Sequence, residues 1–310
     1  MIEILKSYRG KLTYIDEIEN DTLINLINPT EDEILLIKNK FDIEEDYLKA
    51  ALDEEERSRI EIEDNQMLVL VDTPIIDNEN EQLIFSTIPF SIIIKDSIII
   101  TVCLRKTSLM DAFLRGIIKI INTKKRNRLT LQLLYRNATV FLQYLKQVEK
   151  ESTRIEKDLH KSTKNEALIE MLGLEKSLVY LSTSLKGNEV VLEKLLRMDF
   201  VKNYPDDTEL LEDVIIENKQ AIEMSNIYRE ILSSTTEAIG SLISNKLNDV
   251  MKLLAAITII LTVPNIITST WGMNVSVPFD RNPYGFLIVV GITILVTILV
   301  YLFAKIKKWL

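Results

Sequence analysis

The residues best placed to do chemistry stand on one face of one stretch. Counting in alternating fours and threes gives Met251, Ala255, Thr258, Thr262, Asn265 and Ser269. The same count backwards gives Asn248, Ser244, Ser241 and Glu237. That spacing puts them on one side of a helix. With Asn274 just beyond, the face offers amide and hydroxyl oxygens but no carboxylate between Lys252 and Asp280. Neutral oxygens suit a hard cation that keeps its water shell. Without carboxylates there is no tight inner-shell site, and conduction needs weak, multiple sites. Met251 and Leu254 stand at the mouth of the apolar stretch, where a ring of such side chains could close a passage by dewetting.

The element that must carry this face is the run 253–274, uncharged and long enough to span a bilayer as a helix. Its other faces carry Leu253, Leu254, Ile257, Ile259, Ile260, Leu261, Ile266 and Ile267. Polar groups in hydrocarbon are costly unless they face protein or water. A heptad-spaced polar seam therefore reads as the wall of a pore shared by several identical helices; the alternative is adhesion between helices through Ser and Thr. A second uncharged run, 284–304, is almost entirely aliphatic apart from Thr293 and Thr297, and belongs on the lipid side. The linker 275–283 is short, so the two runs form a hairpin. Lys246, Lys252, Lys305, Lys307 and Lys308 lie on one side of it and only Arg281 on the other, which places both termini in the cytoplasm.

Before the hairpin, 206–271 contains no proline until Pro264 and one glycine, Gly240, and reads as one continuous helix. Such a helix must bury a seam against copies of itself or against the preceding helices. Those fall in 126–205. One carries the stripe Leu131, Leu134, Ala138, Phe141, Leu145, Val148 and Ile155; the next carries Met171, Leu174, Leu178, Leu181 and Leu185, with a kink expected at Gly187. A break is expected at 162–166 and another at 203–207. Residues 1–125 read as α+β, a mixed sheet with helices on its faces. Strands are expected at 2–8, 11–15, 23–26, 60–62, 67–72, 83–90, 91–94 and 98–104. Helices are expected from Thr30, whose spacing to Glu33 makes a capping box, over 44–56 and over 108–115. Lys95-Asp96-Ser97 reads as a hairpin turn. The resulting layout is 1–125, an α/β domain; 126–205, long antiparallel helices; 206–252, a stalk; 253–274 and 284–304, transmembrane helices joined by 275–283; and 305–310, a basic tail.

Composition narrows the function further. A net charge of -9 argues against a nucleic-acid partner and is compatible with attracting cations. The basic cluster at 124–128 reads as a solvated loop before a helix. One cysteine, Cys103, and one histidine, His160, leave neither a disulfide framework nor a soft metal site. The N-terminal segment lacks the apolar core of a signal peptide, so the first 250 residues are expected to stay in the cytoplasm. No Gly-rich phosphate loop, nucleophile elbow or His-based metal motif is present, so an enzyme is not expected.

The first apolar run closes in Trp271-Gly272-Met273-Asn274. A Gly-Met-Asn triplet between two C-terminal apolar runs resembles the signature of the CorA family of magnesium channels. The junction at 244–252 and the ending Lys305, Lys307, Lys308 and Trp309 look like that family as well. The resemblance implies a CorA-like fold and a homopentamer in the cell membrane, moving magnesium, cobalt or nickel. It implies a selectivity site at Gly272, Met273 and Asn274, and a hydrophobic constriction at Met251 and Leu254. It also implies that magnesium is both substrate and regulator, bound between subunits at cytoplasmic carboxylates, with Asp213 as the matching stalk ligand and Asp53 as its partner. Two positions depart from the family pattern: Thr262 falls where the family has a further hydrophobic constriction, and Pro264 is followed by Asn265. Two other functions stay open at this point. One is a zinc transporter of the same family, mildly disfavoured by the scarcity of His and Cys. The other is a membrane-anchored coiled-coil scaffold, which would need neither the polar seam nor the triplet.

Overall fold

The computed structural model describes residues 1–79, 82–158, 164–198, 204–279, 282–307 and 309. His160, Asp280, Arg281 and Lys308 lie outside them, as does part of each expected break near 162 and 203. The chain divides into two compact units, Met1–Thr236 and Glu237–Leu310.

In the first unit seven strands form one mixed sheet: β1 (Ile2–Tyr8), β2 (Lys11–Tyr14), β3 (Leu23–Ile27), β4 (Arg59–Glu63), β5 (Gln66–Glu79), β6 (Gln82–Lys95) and β7 (Ile98–Cys103). Their order is β2-β1-β3-β7-β6-β5-β4. Only the central β3–β7 pair is parallel. Alternation along β5 feeds two cores. Leu68 and Leu70 join Ile34, Ile37, Tyr47 and Leu48, from α1 (Glu31–Phe41) and α2 (Glu45–Lys49), on one face. Val69 and Val71 join the other face. That face is covered by α3 (Ser108–Leu114), α4 (Arg126–Asp158), the end of α5 (Lys164–Arg197) and the start of α6 (Pro205–Trp271). Thr30 makes both hydrogen bonds of the capping box with Glu33. Asp96, with φ of 48°, turns β6 into β7. The apolar stripes expected on α4 and α5 are buried throughout.

Three local expectations are corrected. The strands at 83–90 and 91–94 are one strand, and β5 reaches seven residues beyond 72, because the β5–β6 register runs unbroken from Gln66↔Lys95 to Glu79↔Gln82. Pro74 and Pro89 fit because β4 pairs only as far as Leu70 and β7 only as far as Phe90, leaving both outer edges open there. The helix expected over 44–56 ends at Lys49 and continues only as a 3₁₀ turn, Ala50–Leu52. Gly187 does not interrupt α5. A Cβ there would lie 3.3 Å from the Ser58 hydroxyl, so the glycine allows close packing against the sheet rather than bending the helix.

α5 also closes the open strand edges. Ser177 Oγ accepts from Phe85 N–H at 3.0 Å. Asn188 imitates a neighbouring strand: its Oδ1 accepts from Asp72 N–H at 2.8 Å and its Nδ2 donates to Asp72 C=O at 2.9 Å. α6 then packs antiparallel on α5, burying Leu211, Val214, Ala221 and Leu232. Asn218 Nδ2 donates to Leu185 C=O at 3.0 Å and Ser225 Oγ to Leu178 C=O at 3.3 Å. Of the two alternatives for the long helix, this end buries its seam against a preceding helix of the same chain. Pro205 stands in the first turn of α6, where no N–H is needed.

Replacing Asn188 by Ala orphans the half-buried N–H of Asp72, while its C=O keeps Asn137 Nδ2 at 2.7 Å. The expected loss is about 1–3 kcal/mol, seen as a lower midpoint in thermal unfolding followed by circular dichroism. An unchanged midpoint would mean that water replaces the amide.

Candidate functional site

The second unit holds the later part of α6 and all of α7 (Gly285–Ile306). Both helices are long and apolar enough to cross a membrane. Within α6, exposure divides the helix lengthwise. Ala256 is buried, and Ile260, Val263, Pro264, Ile267 and Trp271 are half-buried. Asn248, Met251, Leu254, Ala255, Thr258, Thr262, Asn265 and Ser269 are all exposed. At 100° per residue the two sets are centred roughly 170° apart. The covered side is therefore the one away from the polar seam. Val289 and Ile292 of α7 meet Ile266, Ile267 and Thr270 around a shared cavity near the end of α6.

The seam's two threonine hydroxyls are oriented by the helix itself. Thr258 Oγ1 donates to Leu254 C=O at 2.8 Å, and Thr262 Oγ1 to Thr258 C=O at 2.7 Å. Off the seam, Thr268 donates to Pro264 C=O at 3.0 Å and Thr270 to Ile266 C=O at 2.7 Å. Each threonine thus spends its one proton on its own backbone. What these two seam threonines direct outward is oxygen lone pairs, so at their positions the face accepts hydrogen bonds, while the asparagine amides offer an acceptor oxygen beside their own donors. Pro264 is accommodated inside α6 on the covered side, removing one N–H from the ladder.

The triplet lies immediately beyond the helix. Gly272 N–H still reaches Thr268 C=O at 2.9 Å, and Val275 N–H closes on Met273 C=O at 2.9 Å. Asn274 is the central residue of that three-residue turn, and its side chain is exposed. Behind it, Trp271 Nε1 donates to Pro278 C=O at 3.0 Å, tying the helix end to the far side of the loop. Phe279 has φ of 71°. Its carbonyl sits where a Cβ on Gly285 would have to go, so only glycine can occupy the start of α7. Gly285 and the Trp271 bond were not singled out from the sequence. The available signal was a glycine directly after Pro283-Tyr284, at the first turn of an apolar run.

The proposed regulatory acids are less organised within one chain. Asp213 is exposed on α6, next to Tyr135 of α4, whose phenol is pushed up by burial and then by the charges of Glu217 and Asp213. Asp53 is exposed in the turn after Leu52, where its Oδ1 accepts from Glu55 N–H at 3.0 Å. Among the described residues no group of three or more His, Cys, Asp or Glu gathers to hold a metal. Asp207, in the first turn of α6, is buried and paired with Arg128 at 2.9 Å. Cys103 is buried and its thiol is pushed up to about 12 by that burial, far from a metal-ready thiolate.

Gly285→Ala should displace the loop and its triplet while leaving both helices intact. The expected readouts are a shifted Trp271 emission, unchanged helical circular dichroism and at least a tenfold loss of cation uptake. Emission and uptake both at parental levels would show that the Phe279–Gly285 contact does not position the turn.

The profile of CorA-like Mg2+ transporter proteins matches residues 23–307. The cobalt/magnesium transport protein CorA of Methanocaldococcus jannaschii is 30% identical over 297 residues, covering 91% of this chain and 89% of that one. The magnesium transport protein CorA of Helicobacter pylori is 21% identical over 316 residues, covering 99% and 96%. The complete structure of the CorA magnesium transporter from Methanocaldococcus jannaschii superposes with a TM-score of 0.85 at 27% identity, covering 100% of this chain and 99% of that one. The full-length CmaX structure shares the fold, with a TM-score of 0.65 at 15% identity over 98% of this chain and 97% of that one. A mixed sheet, long helices and two C-terminal apolar helices with Gly-Met-Asn between them thus agree with sequence and structural likeness over almost the whole chain, which belongs to the CorA-like Mg2+ transporter family.

Proposed function

We propose that this chain forms a homopentameric channel through which magnesium crosses the cell membrane, with cobalt and nickel as further substrates and both termini in the cytoplasm. The observation that carries this reading is the uncovered acceptor face of α6. Magnesium gives up its waters reluctantly. Water bound to a cation points its hydrogens outward, so a hydrated ion presents donors to the wall. Thr258 and Thr262, with their own protons turned back on the helix, offer matching lone pairs. The amide oxygens of Asn248, Asn265 and Asn274, with Ser269, extend the same chemistry along the seam. Asn274, carried with Gly272 and Met273 at the turn, forms the entry filter, where a ring of amides holds the shell of the arriving ion. Ala255 leaves room between acceptors. Met251 and Leu254, both 57% exposed in the single chain, form the constriction that closes by dewetting.

Regulation is assigned to carboxylates at subunit boundaries. Asp213 and Asp53, both exposed, face a neighbouring copy and repel its acids unless a cation stands between them. Magnesium bound there favours the closed packing; its loss frees the gate. A zinc transporter lacks supporting donors here. A scaffold gives no reason for hydroxyls and amides to share one face of a membrane helix.

Asn274→Ala should nearly abolish uptake into proteoliposomes, read with a magnesium-sensitive dye, while the particle keeps its five-fold mass. Thr262→Val, which keeps the shape and removes one acceptor per subunit, should slow uptake about tenfold, the equivalent of one hydrogen bond of about 1.4 kcal/mol. Parental flux through an assembled Asn274→Ala channel would sink the filter assignment. Repeating the assay with zinc, cobalt and nickel tests the choice of ion.

For regulation, Asp213→Lys places a fixed positive charge where the ion would sit. The parent should be cut faster by protease when magnesium is chelated, and the variant should stay resistant in chelator. The same magnesium dependence in both proteins would remove Asp213 from the regulatory site.

A further inference from the structure

The cavity behind the Gly-Met-Asn turn has a volume of about 300 Å³, is bounded by the end of α6, residues 277–279 of the loop and α7, and is open on its outer side. Its walls include Ile267, Val289 and Ile292. Two polar side chains reach it, and both are already committed. The Thr270 hydroxyl donates to Ile266 C=O at 2.7 Å, and Trp271 Nε1 donates to Pro278 C=O at 3.0 Å. A water placed there would find few of the polar partners it needs. The natural occupant is hydrocarbon. By helical rotation the α6 wall points roughly 130° away from the polar seam. If the seam lines the pore, the cavity opens away from it, toward the bilayer. It lies at the end of the hairpin opposite Lys252 and Lys305.

We propose that this cavity binds one acyl chain of a phospholipid from the leaflet at the loop end of the hairpin, and that the chain buttresses the turn carrying Asn274. The proposal rests on the reading of the seam as pore wall. Trp271 and Pro278 are at once walls of the cavity and the two anchors of the loop. An acyl chain between the loop and α7 holds those anchors in place, which a collapsed or empty cavity would not. Lipid chain structure therefore bears on the filter from behind, without any contact with the ion.

Trp271 is its own probe, since Trp309 is the chain's one other tryptophan. The full-length Trp309→Phe protein, solubilised in detergent, is titrated with phosphatidylcholine brominated along its acyl chains. The expected result is quenching of Trp271 by at least twofold, saturating at about one lipid per chain, as a built site requires. Val289→Phe and Ile292→Phe, each adding a ring to the cavity wall, should remove the saturable component. Quenching that rises without saturation is annular contact and overturns the proposal. Absence of quenching, which points to a sister subunit over the cavity, overturns it too, as does an unchanged titration in both filled variants. If neither variant folds, the titration of the parent protein alone decides. The readout needs no ion flow, so failure of the pore reading would appear separately, as normal uptake in the Asn274 and Thr262 variants.

Discussion

The hydrogen bond from each membrane threonine to the carbonyl four residues earlier is the interaction on which the rest of the site depends. In hydrocarbon a hydroxyl must place its proton, and the nearest acceptor is the preceding turn of its own helix. Thr258 and Thr262 do so at 2.8 and 2.7 Å. The bond satisfies the costly donor and simultaneously fixes what these hydroxyls offer outward: lone pairs only. A valine in either place would be equally at home in lipid but silent toward water. A carboxylate would be expensive in lipid. Threonine and asparagine lie between these limits, which accounts for the neutral seam.

Much of this could be read before any coordinates. A period of 3.6 with a second, polar period on the opposite face belongs to the residue types themselves, so the seam, the stripes of α4 and α5 and the capping box at Thr30 were all visible. The parts that were not visible depend on partners distant in sequence. β5 and β6 extend past their apolar runs because each supplies the other's ladder, and Asn188 on α5 supplies a third edge. Gly187 and Gly285 illustrate the same limit. A glycine announces either freedom or proximity, and only the neighbouring atoms, Ser58 Oγ in one case and Phe279 C=O in the other, tell which. A site shared between copies of the chain would be further still from view. Asp213 and Asp53 are ordinary exposed acids on one chain, and only the family resemblance, through the match of Asp213, points to them.

The family likeness and the local chemistry cover different ground. Likeness over residues 23–307 fixes the architecture and the broad class of cargo. It does not explain why the turn after Trp271 is tight, why Gly285 tolerates no side chain, or how Pro264 rests inside a helix. Those follow from the Trp271–Pro278 bond, the Phe279 carbonyl and the covered side of α6. The departures Thr262 and Asn265 are intelligible in the same terms, since each adds an acceptor where an apolar residue would interrupt the row.

The two polar ties between α5 and α6 have a mechanical meaning. Asn218 and Ser225 are seven residues apart, and so are the carbonyls they hold, Leu185 and Leu178. The pair works as two teeth of a rack. Sliding α6 along α5 by one turn would unseat both at once and leave two buried polar groups without partners. Twisting or tilting α6 slightly about that line keeps both teeth engaged. The contact therefore passes torque between the two helices and resists a push along their axes.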